Sequence, residues 1–387
     1  MTRDLGAYLA QRRSQGLYRT VRTFGTHGGR LVREDGSSLI PFCTNDYLGL
    51  ATDERVAGAA AEAARHGAGS GAAHLVSGHR PAHARLEHEL AAFVERERAL
   101  LFSTGYMANL GAIDALTGRG DSVVQDRLNH ASLLDGGRLS EARLTRYQHA
   151  DVGAAAERLD QARGEPLLAT DGVFSMDGDL APLRELATAA RDRDAMFMVD
   201  DAHGIGVMGE GGAGSVAGAG LGQDEVPVLV GTLGKALGGS GAFVAGSADL
   251  CDYLVQAART YVYTTAVPPA VAVGVSQALA IVREEPEKRA YLHRLIERFR
   301  DGAAVRGIKL MPSQTPIQPV MAGDAEVALA WSAALEEMGY LVTAIRPPTV
   351  PEGTARLRVT LSAAHAEADV DGLLAALDQA REAVDSR

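Results

Sequence analysis

The sequence predicts an α/β fold with a mainly parallel central sheet, followed by a smaller α+β domain. Short apolar or β-branched segments alternate with helical patterns up to about residue 285, which is typical of a parallel sheet covered by helices. Beyond that point, longer helical patterns separate only a few strands. We therefore expect an N-terminal arm over residues 1–40, a large domain over 41–285 and a small domain over 286–387.

The elements follow in chain order. The polar arm predicts one helix and a small hairpin. Leu86, Leu90 and Phe93 recur at helical spacing, and Leu183 follows a proline that suits the first turn of a helix. Strands are predicted at 99–103, 122–125, 167–170, 196–199, 226–230 and 242–245. The small domain is predicted as helix 288–300, strand 309–311, helix 325–338, strands 341–344 and 355–360, and helix 366–384.

Composition excludes several classes of protein. The net charge of −11 and the lack of a dense Lys/Arg segment argue against a nucleic-acid binder. Cys43 and Cys251 are too few for a disulfide scaffold, so we expect reduced thiols in a cytoplasmic enzyme. Residues 1–10 lack the apolar core of a signal peptide. The longest apolar stretch, 266–282, is shorter than the roughly 20 residues that span a bilayer, and predicts a buried helix after two prolines.

Chemically distinctive residues follow the predicted strands. Gly105 with Tyr106, His130, Ser175, Asp200 with His203, and Lys235 each lie just after a strand or in the loop that follows. Ligands of open α/β sheets bind at the carboxyl ends of the strands. These loops are therefore expected to converge on one site.

Lys235 lies in a segment rich in glycine, threonine and serine, 231–241. A phosphate loop would need Ser or Thr after the lysine, where this chain has Ala236. A lysine that forms a Schiff base suits the segment better, because burial lowers its pKa and makes the amine nucleophilic. Thr232 could then bind a phosphate. A surface lysine in a glycine loop remains an alternative for this segment alone.

Asp200 ends a buried strand, and His203 follows three residues later. Pyridoxal phosphate (PLP) chemistry needs an acid beside the pyridine nitrogen, and Asp200 suits that role. A buried Asp that caps a loop beside a core histidine is the alternative. We expect no metal site. His130 could stack on a cofactor ring or belong to a helix cap, and the amides of Gly105 and Tyr106 would face an anion.

Taken together, the order and spacing of these motifs resemble the α-oxoamine synthase family of fold-type I PLP-dependent transferases, over nearly the whole chain. The resemblance rests on NDYLGL (45–50), segment 69–87, YVYTTAVPP (261–269), IRPPTVP (345–351), ARLRVT (355–360) and SAAH (362–365). DRLNHASLL (126–134), GVFSMDGD (172–179) and TPIQP (315–319) favour the members that condense L-alanine with a pimeloyl thioester.

The resemblance implies a role for each matching residue. Catalysis would fall to Lys235, which carries the cofactor, and to His130, Asp200 and His203. The cofactor would be held by Gly105, Tyr106, Ser175, Asp200, His203, Thr232, Lys235 and, from the neighbouring subunit of a homodimer, Thr264. Substrates would contact Arg19, Asn45, His130, Arg346, Thr349 and Arg358, with Arg356 as the alternative ligand for the amino acid carboxylate.

The implied reaction belongs to biotin biosynthesis: L-alanine and pimeloyl-CoA or pimeloyl-acyl-carrier protein give an amino ketone, CO2 and the free thiol. Sister enzymes of the family, such as glycine C-acetyltransferase, 5-aminolevulinate synthase and serine palmitoyltransferase, are the nearest alternatives. A dinucleotide-dependent oxidoreductase lacks its Gly-x-Gly-x-x-Gly motif here. A catalytically inactive PLP-fold protein would not need the polar groups that are present.

Overall fold

The computed structural model describes residues 4–15 and 17–385. The strands are β1 (Gly25–His27), β2 (Arg30–Val32), β3 (Ser38–Pro41), β4 (Arg98–Phe102), β5 (Ser122–Asp126), β6 (Arg143–Tyr147), β7 (Pro166–Asp171), β8 (Met196–Asp200), β9 (Val228–Thr232), β10 (Ala242–Gly246), β11 (Ile317–Gly323), β12 (Tyr340–Leu341), β13 (Thr343–Ile345) and β14 (Ala355–Thr360).

The α-helices are α1 (Leu5–Ser14), α2 (Glu54–Ala64), α3 (Pro81–Phe93), α4 (Gly105–Leu116), α5 (Ala131–Leu139), α6 (Val152–Asp160), α7 (Leu183–Arg191), α8 (Ser215–Gly218), α9 (Ala248–Ala257), α10 (Arg259–Val262), α11 (Pro269–Glu284), α12 (Pro286–Val305), α13 (Ala325–Glu337) and α14 (Glu367–Asp385). Residues His74–Gly78 form one π-helical turn. Among the described residues, no helix is both long and apolar enough to cross a membrane.

The central sheet has seven strands in the order β4-β10-β9-β8-β7-β5-β6. Only β10 runs antiparallel to its neighbours, so the predicted α/β fold with a mainly parallel sheet is confirmed. Consecutive strand residues enter different apolar clusters: Leu168 and Val199 lie in one, and Leu167 and Met198 in the other. Because successive side chains point to opposite faces, both faces of the sheet are buried. This explains the continuous apolar runs in the sequence.

Two smaller sheets complete the fold. The arm contains the predicted helix and hairpin, and its last strand, β3, pairs in parallel with β12 from the C-terminal part of the chain. The other sheet has the order β11-β14-β13. The boundary that we propose at residue 285 falls between α11 and α12. As predicted for the apolar stretch, α11 begins at a proline pair and is largely buried.

The strand prediction for 309–311 is wrong, because Leu310 forms only an isolated bridge with Val320. The single strand predicted at 341–344 is two strands, which belong to different sheets. Two strands were also missed. In β6, exposed arginines interrupt the apolar alternation, as is common for an edge strand. In β11, Pro319 obscures the strand pattern.

Candidate active site

The five predicted loops do converge. They follow β4, β5, β7, β8 and β9, which all run in the same direction, so their carboxyl ends lie at one edge of the sheet. The loop after β9 carries Lys235. It is held against the segment that follows Leu50 by Gly238, which has φ +61°; a Cβ there would lie 2.4 Å from the backbone nitrogen of Ala51. Only glycine satisfies both constraints.

The Lys235 amine points into the protein and contacts His203. Its Nζ lies 2.9 Å from His203 Nε2. Burial lowers the pKa of Lys235 to about 8, although the carboxylates of Asp200 and Asp171 act in the opposite direction. The amine is therefore more easily deprotonated near neutral pH than an ordinary lysine, as nucleophilic and basic chemistry require.

A row of hydrogen bonds, the Lys235 row, runs from Lys235 through His203, Tyr47 and Asn45 to Arg358. Burial and the charge of Lys235 keep the pKa of His203 well below its usual value, so its ring is neutral. Because an ammonium can only donate, His203 Nε2 accepts from Lys235, and the ring proton lies on Nδ1. Nδ1 lies 2.6 Å from the Tyr47 hydroxyl, which in turn donates to Asn45 Oδ1 at 3.3 Å. Arg358 donates to the same Asn45 oxygen.

Asp200 is buried at the end of β8 and has its own donors. Its Oδ2 accepts from Asn109 Nδ2 at 2.6 Å, and its Oδ1 accepts from the amide of Ala202 at 3.0 Å. The second N–H of Asn109 is directed at Ser132 Oγ, at 2.8 Å. Asn109 thus connects Asp200 to the start of α5, and both carboxylate oxygens of Asp200 accept a hydrogen bond.

His130 belongs to the same network. Ser132 approaches His130 Nδ1 with both its hydroxyl, at 2.7 Å, and its amide, so Nδ1 accepts and the ring N–H lies on Nε2. The His130 amide donates to Asp171 at 2.6 Å. Burial, aided by Lys235, lowers the pKa of His130, whereas burial and the adjacent Asp200 raise that of Asp171 well above its usual value. The expected cap at α5 and a role in the site therefore coexist in one residue.

Groups suited to an anion lie at the start of α4. Gly105 and Tyr106 supply its first two amides, and the Thr104 side chain caps only the third, that of Met107. A Cβ on Gly105 would meet nothing within 4 Å and Thr104 and Tyr106 are exposed, so the first turn of this positive helix end is open at its side. Thr232 ends β9 with its hydroxyl bonded to the Gly241 carbonyl at 3.2 Å. Thr264 of the same chain lies beside Met107, with Oγ1 4.0 Å from its sulfur.

Arg356 and Arg358, the two arginines of β14, have different partners. Arg356 is 4% exposed and forms an ion pair with Asp177. Arg358 is 7% exposed; its Nε donates to the Ser175 carbonyl at 2.6 Å, and its two terminal nitrogens share Asn45 Oδ1 at 3.2 Å. Arg358, unlike Arg356, has no carboxylate partner among the described residues, and its terminal nitrogens face Asn45 in the Lys235 row.

A cavity of about 680 Å³ opens next to Ser175, whose carbonyl accepts a hydrogen bond from Arg358. His130, Ser175 and Thr349 line it together with apolar side chains that include Leu134 and Phe174. Arg346 is half-buried, and its carbonyl accepts from the Thr349 amide. Arg19 is exposed in the segment after α1.

Comparison with known proteins places this site in a family. The profile of the family described as aminotransferase class I and II matches residues 37–377. The chain belongs to this family. It is 60% identical over 382 residues to the 8-amino-7-oxononanoate synthase of Alkalilimnicola ehrlichii, with 98% of both chains covered.

Solved structures of the family agree. The serine palmitoyltransferase of S. paucimobilis, solved with bound PLP–myriocin, has a TM-score of 0.92 at 31% identity and covers both chains completely. The 8-amino-7-oxononanoate synthase of Francisella tularensis has a TM-score of 0.78 at 30% identity, covering 89% of this chain and 98% of the other. The α-oxoamine synthase resemblance, the fold type and the PLP cofactor predicted from the sequence are confirmed.

The residues present fit PLP. A buried lysine amine, an acid in a network of donors and a helix N-terminus whose first turn is open at its side supply the three contacts that an aldehyde, a pyridine nitrogen and a phosphate need. Sequence reasoning missed Asn109, which lies one helical turn after Gly105 and so on the same side of α4. The hydroxyl of the fully buried Tyr47 also belongs to the site, through its contact with His203.

Proposed function

We propose that this chain joins L-alanine to a pimeloyl thioester, releasing CO2 and the thiol and forming 8-amino-7-oxononanoate. The near full-length similarity to synthases of that name supports the reaction. The structural observation that carries the proposal is the contact of Lys235 with neutral His203, beside an Asp200 held by Asn109. That arrangement places the Lys235 amine, whose pKa is lowered, and the fixed carboxyl group of Asp200 at the same edge of the sheet.

The cofactor would be held by Lys235, Asp200 and His203, with Gly105, Tyr106, Ser175 and Thr232 around its phosphate and ring, and with His130 against the ring face. When bound, PLP acts as an electron sink for the α-carbon of the amino acid. The donors to Asp200 hold its carboxylate at the end of β8, where it would pair with the pyridine nitrogen. The amides at the start of α4 would hold the phosphate, because the helix dipole favours an anion there.

Lys235 is the base of the reaction. Its Nζ accepts the α-proton of alanine, and a pKa near 8 leaves an appreciable fraction of the amine unprotonated near neutral pH. The α-carbon then attacks the thioester carbonyl, and the C–S bond breaks to release the thiolate. After the carboxyl carbon leaves as CO2, the same nitrogen returns a proton to carbon. His130, whose ring N–H lies on Nε2, can donate to the keto oxygen as it gains charge.

Arg358 binds the amino acid carboxylate. Its terminal N–H groups form the planar fork that suits a carboxylate, whereas Arg356 is already paired with Asp177. Asn45 orients the guanidinium of Arg358 and also accepts a hydrogen bond from Tyr47. Asn45 therefore connects the carboxylate-binding arginine to the residues that contact Lys235.

The acyl chain occupies the cavity bounded by His130, Ser175 and Thr349, whose apolar walls suit a run of methylene groups. Arg346 and Arg19 bind the far end of the acyl substrate. The thiol carrier is coenzyme A or acyl-carrier protein. We also propose a homodimer in which Thr264 reaches the partner's cofactor phosphate; the exposed apolar side chains of Leu75, Val76 and Tyr263 support an interface on this side of the chain.

A product assay tests the proposal. Purified protein is mixed with L-alanine and pimeloyl-CoA, or with pimeloyl-acyl-carrier protein, and 8-amino-7-oxononanoate is sought by mass spectrometry. Product in the wild type and none with Lys235→Ala is expected. Protein that binds PLP yet forms this product from neither thioester would refute the substrate assignment, and product with glycine or serine in place of alanine would indicate a sister reaction.

A further inference from the structure

Three histidines converge away from the Lys235 site. His74 begins the π-helical turn, His79 follows the end of that turn, and His83 lies in the first turn of α3. One ring nitrogen from each lies within 4.8 Å of those of the other two. The Nδ1 atoms of His74 and His79 are only 2.9 Å apart. The sequence predicts no metal site, because these spacings match no common ligand motif; the convergence is visible only in three dimensions.

Each of the three rings offers one nitrogen to the centre of the cluster, and the Nδ1 atoms of His74 and His79 face each other directly. Neutral imidazole is the form that ligates metals. His74 is 6% exposed, and its Nε2 is buried with no hydrogen-bond partner among the described residues. Hydrogen bonding within the protein therefore leaves this ring incompletely satisfied.

The outer nitrogens of two rings already have the acceptors that metal-bound histidines use. The Arg80 amide donates to His83 Nδ1 at 2.8 Å, so His83 carries its proton on Nε2, which donates to the Val267 carbonyl at 2.6 Å. His79 Nε2 lies 3.7 Å from a carboxylate oxygen of Glu87. A carbonyl or carboxylate behind the ligand ring fixes its orientation and raises its basicity.

We propose that His74, His79 and His83 bind a borderline transition-metal ion such as Zn²⁺. Zinc–nitrogen bonds of about 2.0–2.1 Å in tetrahedral geometry place ligand nitrogens about 3.3 Å apart. The Nδ1 atoms of His74 and His79 are 2.9 Å apart, and the three ligand atoms all lie within 4.8 Å of one another. Binding through His83 Nδ1 releases the amide of Arg80, an exposed residue whose N–H water can satisfy. The His79 side chain is 32% exposed, so solvent can fill the fourth position.

A second cluster shows why proximity alone does not suffice. His149, Asp177 and Asp179 also lie close together. However, both ring nitrogens of His149 bond carboxylates, of Asp126 at 3.1 Å and of Asp179 at 2.8 Å. Those bonds outweigh the effect of burial and raise the pKa of His149 to about 10, so the ring is a cation with no lone pair to offer. We propose no metal there.

The histidine site would join two parts of the chain. His83 and Ser70 both bond the Val267 carbonyl, at 2.6 Å each, and the Tyr261 ring stacks on His74 with centroids 5.1 Å apart. An ion on the three histidines would therefore brace segment 70–83 against segment 261–267, which includes Thr264. The site does not depend on the proposed reaction.

Metal binding is measured on tag-free holoenzyme by equilibrium dialysis against micromolar Zn²⁺, followed by elemental analysis. Co²⁺ provides a second probe through its visible d–d bands. We expect one ion per chain in the wild type. His79→Ala, chosen because the side chain is partly exposed and its loss should not unfold the protein, should weaken binding by about 100-fold or more. His66→Ala removes an exposed histidine outside the cluster and should bind as the wild type does.

The result distinguishes this site from the PLP site. Lys235→Ala should keep its zinc, because the lysine lies outside the histidine cluster. Zinc binding that is absent from the wild type, or that His79→Ala leaves unchanged, would overturn the proposal. Loss of zinc in Lys235→Ala but not in His79→Ala would assign the ion to the cofactor site instead.

Discussion

The arginine pair on β14 offers the sharpest test of the proposed site. Arg358 and Arg356 are two residues apart, both are buried and both are arginines, so the same substitution can be made at each. Arg358→Lys removes a planar fork and replaces it with a single ammonium. Arg356→Lys keeps a cation opposite Asp177. Only the first change should affect binding of the alanine carboxylate.

The magnitude follows from the contacts. Nε of Arg358 donates to the Ser175 carbonyl at 2.6 Å. The two terminal nitrogens make only a long hydrogen bond of 3.2 Å each to Asn45 Oδ1. These two nitrogens are therefore the donors for the carboxylate of the substrate. A hydrogen bond to a charged group contributes about 1.5–3 kcal/mol. Losing the second of two such bonds therefore lowers kcat/KM for L-alanine by about 10- to 150-fold.

The assay is the initial rate of thiol release with L-alanine varied and the acyl thioester saturating. We expect Arg358→Lys to raise KM for alanine strongly and to change KM for the thioester little. Arg356→Lys should stay near wild type in both. A large rise in KM for alanine with Arg356→Lys, while Arg358→Lys remains near wild type, would refute the assignment and make Arg356 the carboxylate ligand.

Three further predictions follow from the hydrogen bonds of the site. Asn109→Ala removes the 2.6 Å donor to Asp200 and should lower kcat by about tenfold or more, measured by thiol release with saturating PLP. Tyr47→Phe removes the hydroxyl on His203 and should lower kcat by about 2- to 12-fold. Because the folded-state pKa of His149 is raised from 6.5 to about 10, the stabilisation by its charge is complete below pH 6.5 and is lost as pH rises toward 10. Urea unfolding should therefore show the stability difference between wild type and His149→Gln shrinking across that window.

Each of these predictions has a matched comparison. Gln125→Ala removes a buried amide that bonds the Leu133 carbonyl at 2.7 Å outside the proposed cavity, so a similar loss of kcat there would mean that the effect of Asn109→Ala is general destabilisation. Tyr253→Phe removes a hydroxyl from an exposed tyrosine and should leave kcat unchanged. For His149, a stability difference that stays constant from pH 6.5 to pH 10 would show that its charge does not stabilise the fold.

The sequence by itself determined the fold class and brought the main candidate catalytic groups together at one sheet edge. Apolar runs that alternate with helical patterns predict a parallel sheet, because a sheet covered on both faces needs apolar side chains at successive positions. The carboxyl ends of such strands meet at one edge, so Lys235, Asp200 and His203 could be placed together before any coordinates. These conclusions rest on local patterns and on a general rule of topology.

Only the tertiary structure decided the contacts between distant segments. Alternation sends Arg356 and Arg358 to the same face of β14, and they differ because Asp177 reaches one and Asn45 the other. Asn109 becomes a partner of Asp200 only when α4 packs against the central sheet. The three histidines likewise meet through a π-helical turn whose shape no periodic pattern reveals. Such contacts form between residues far apart in the chain. Local sequence patterns do not indicate which distant segments pack together.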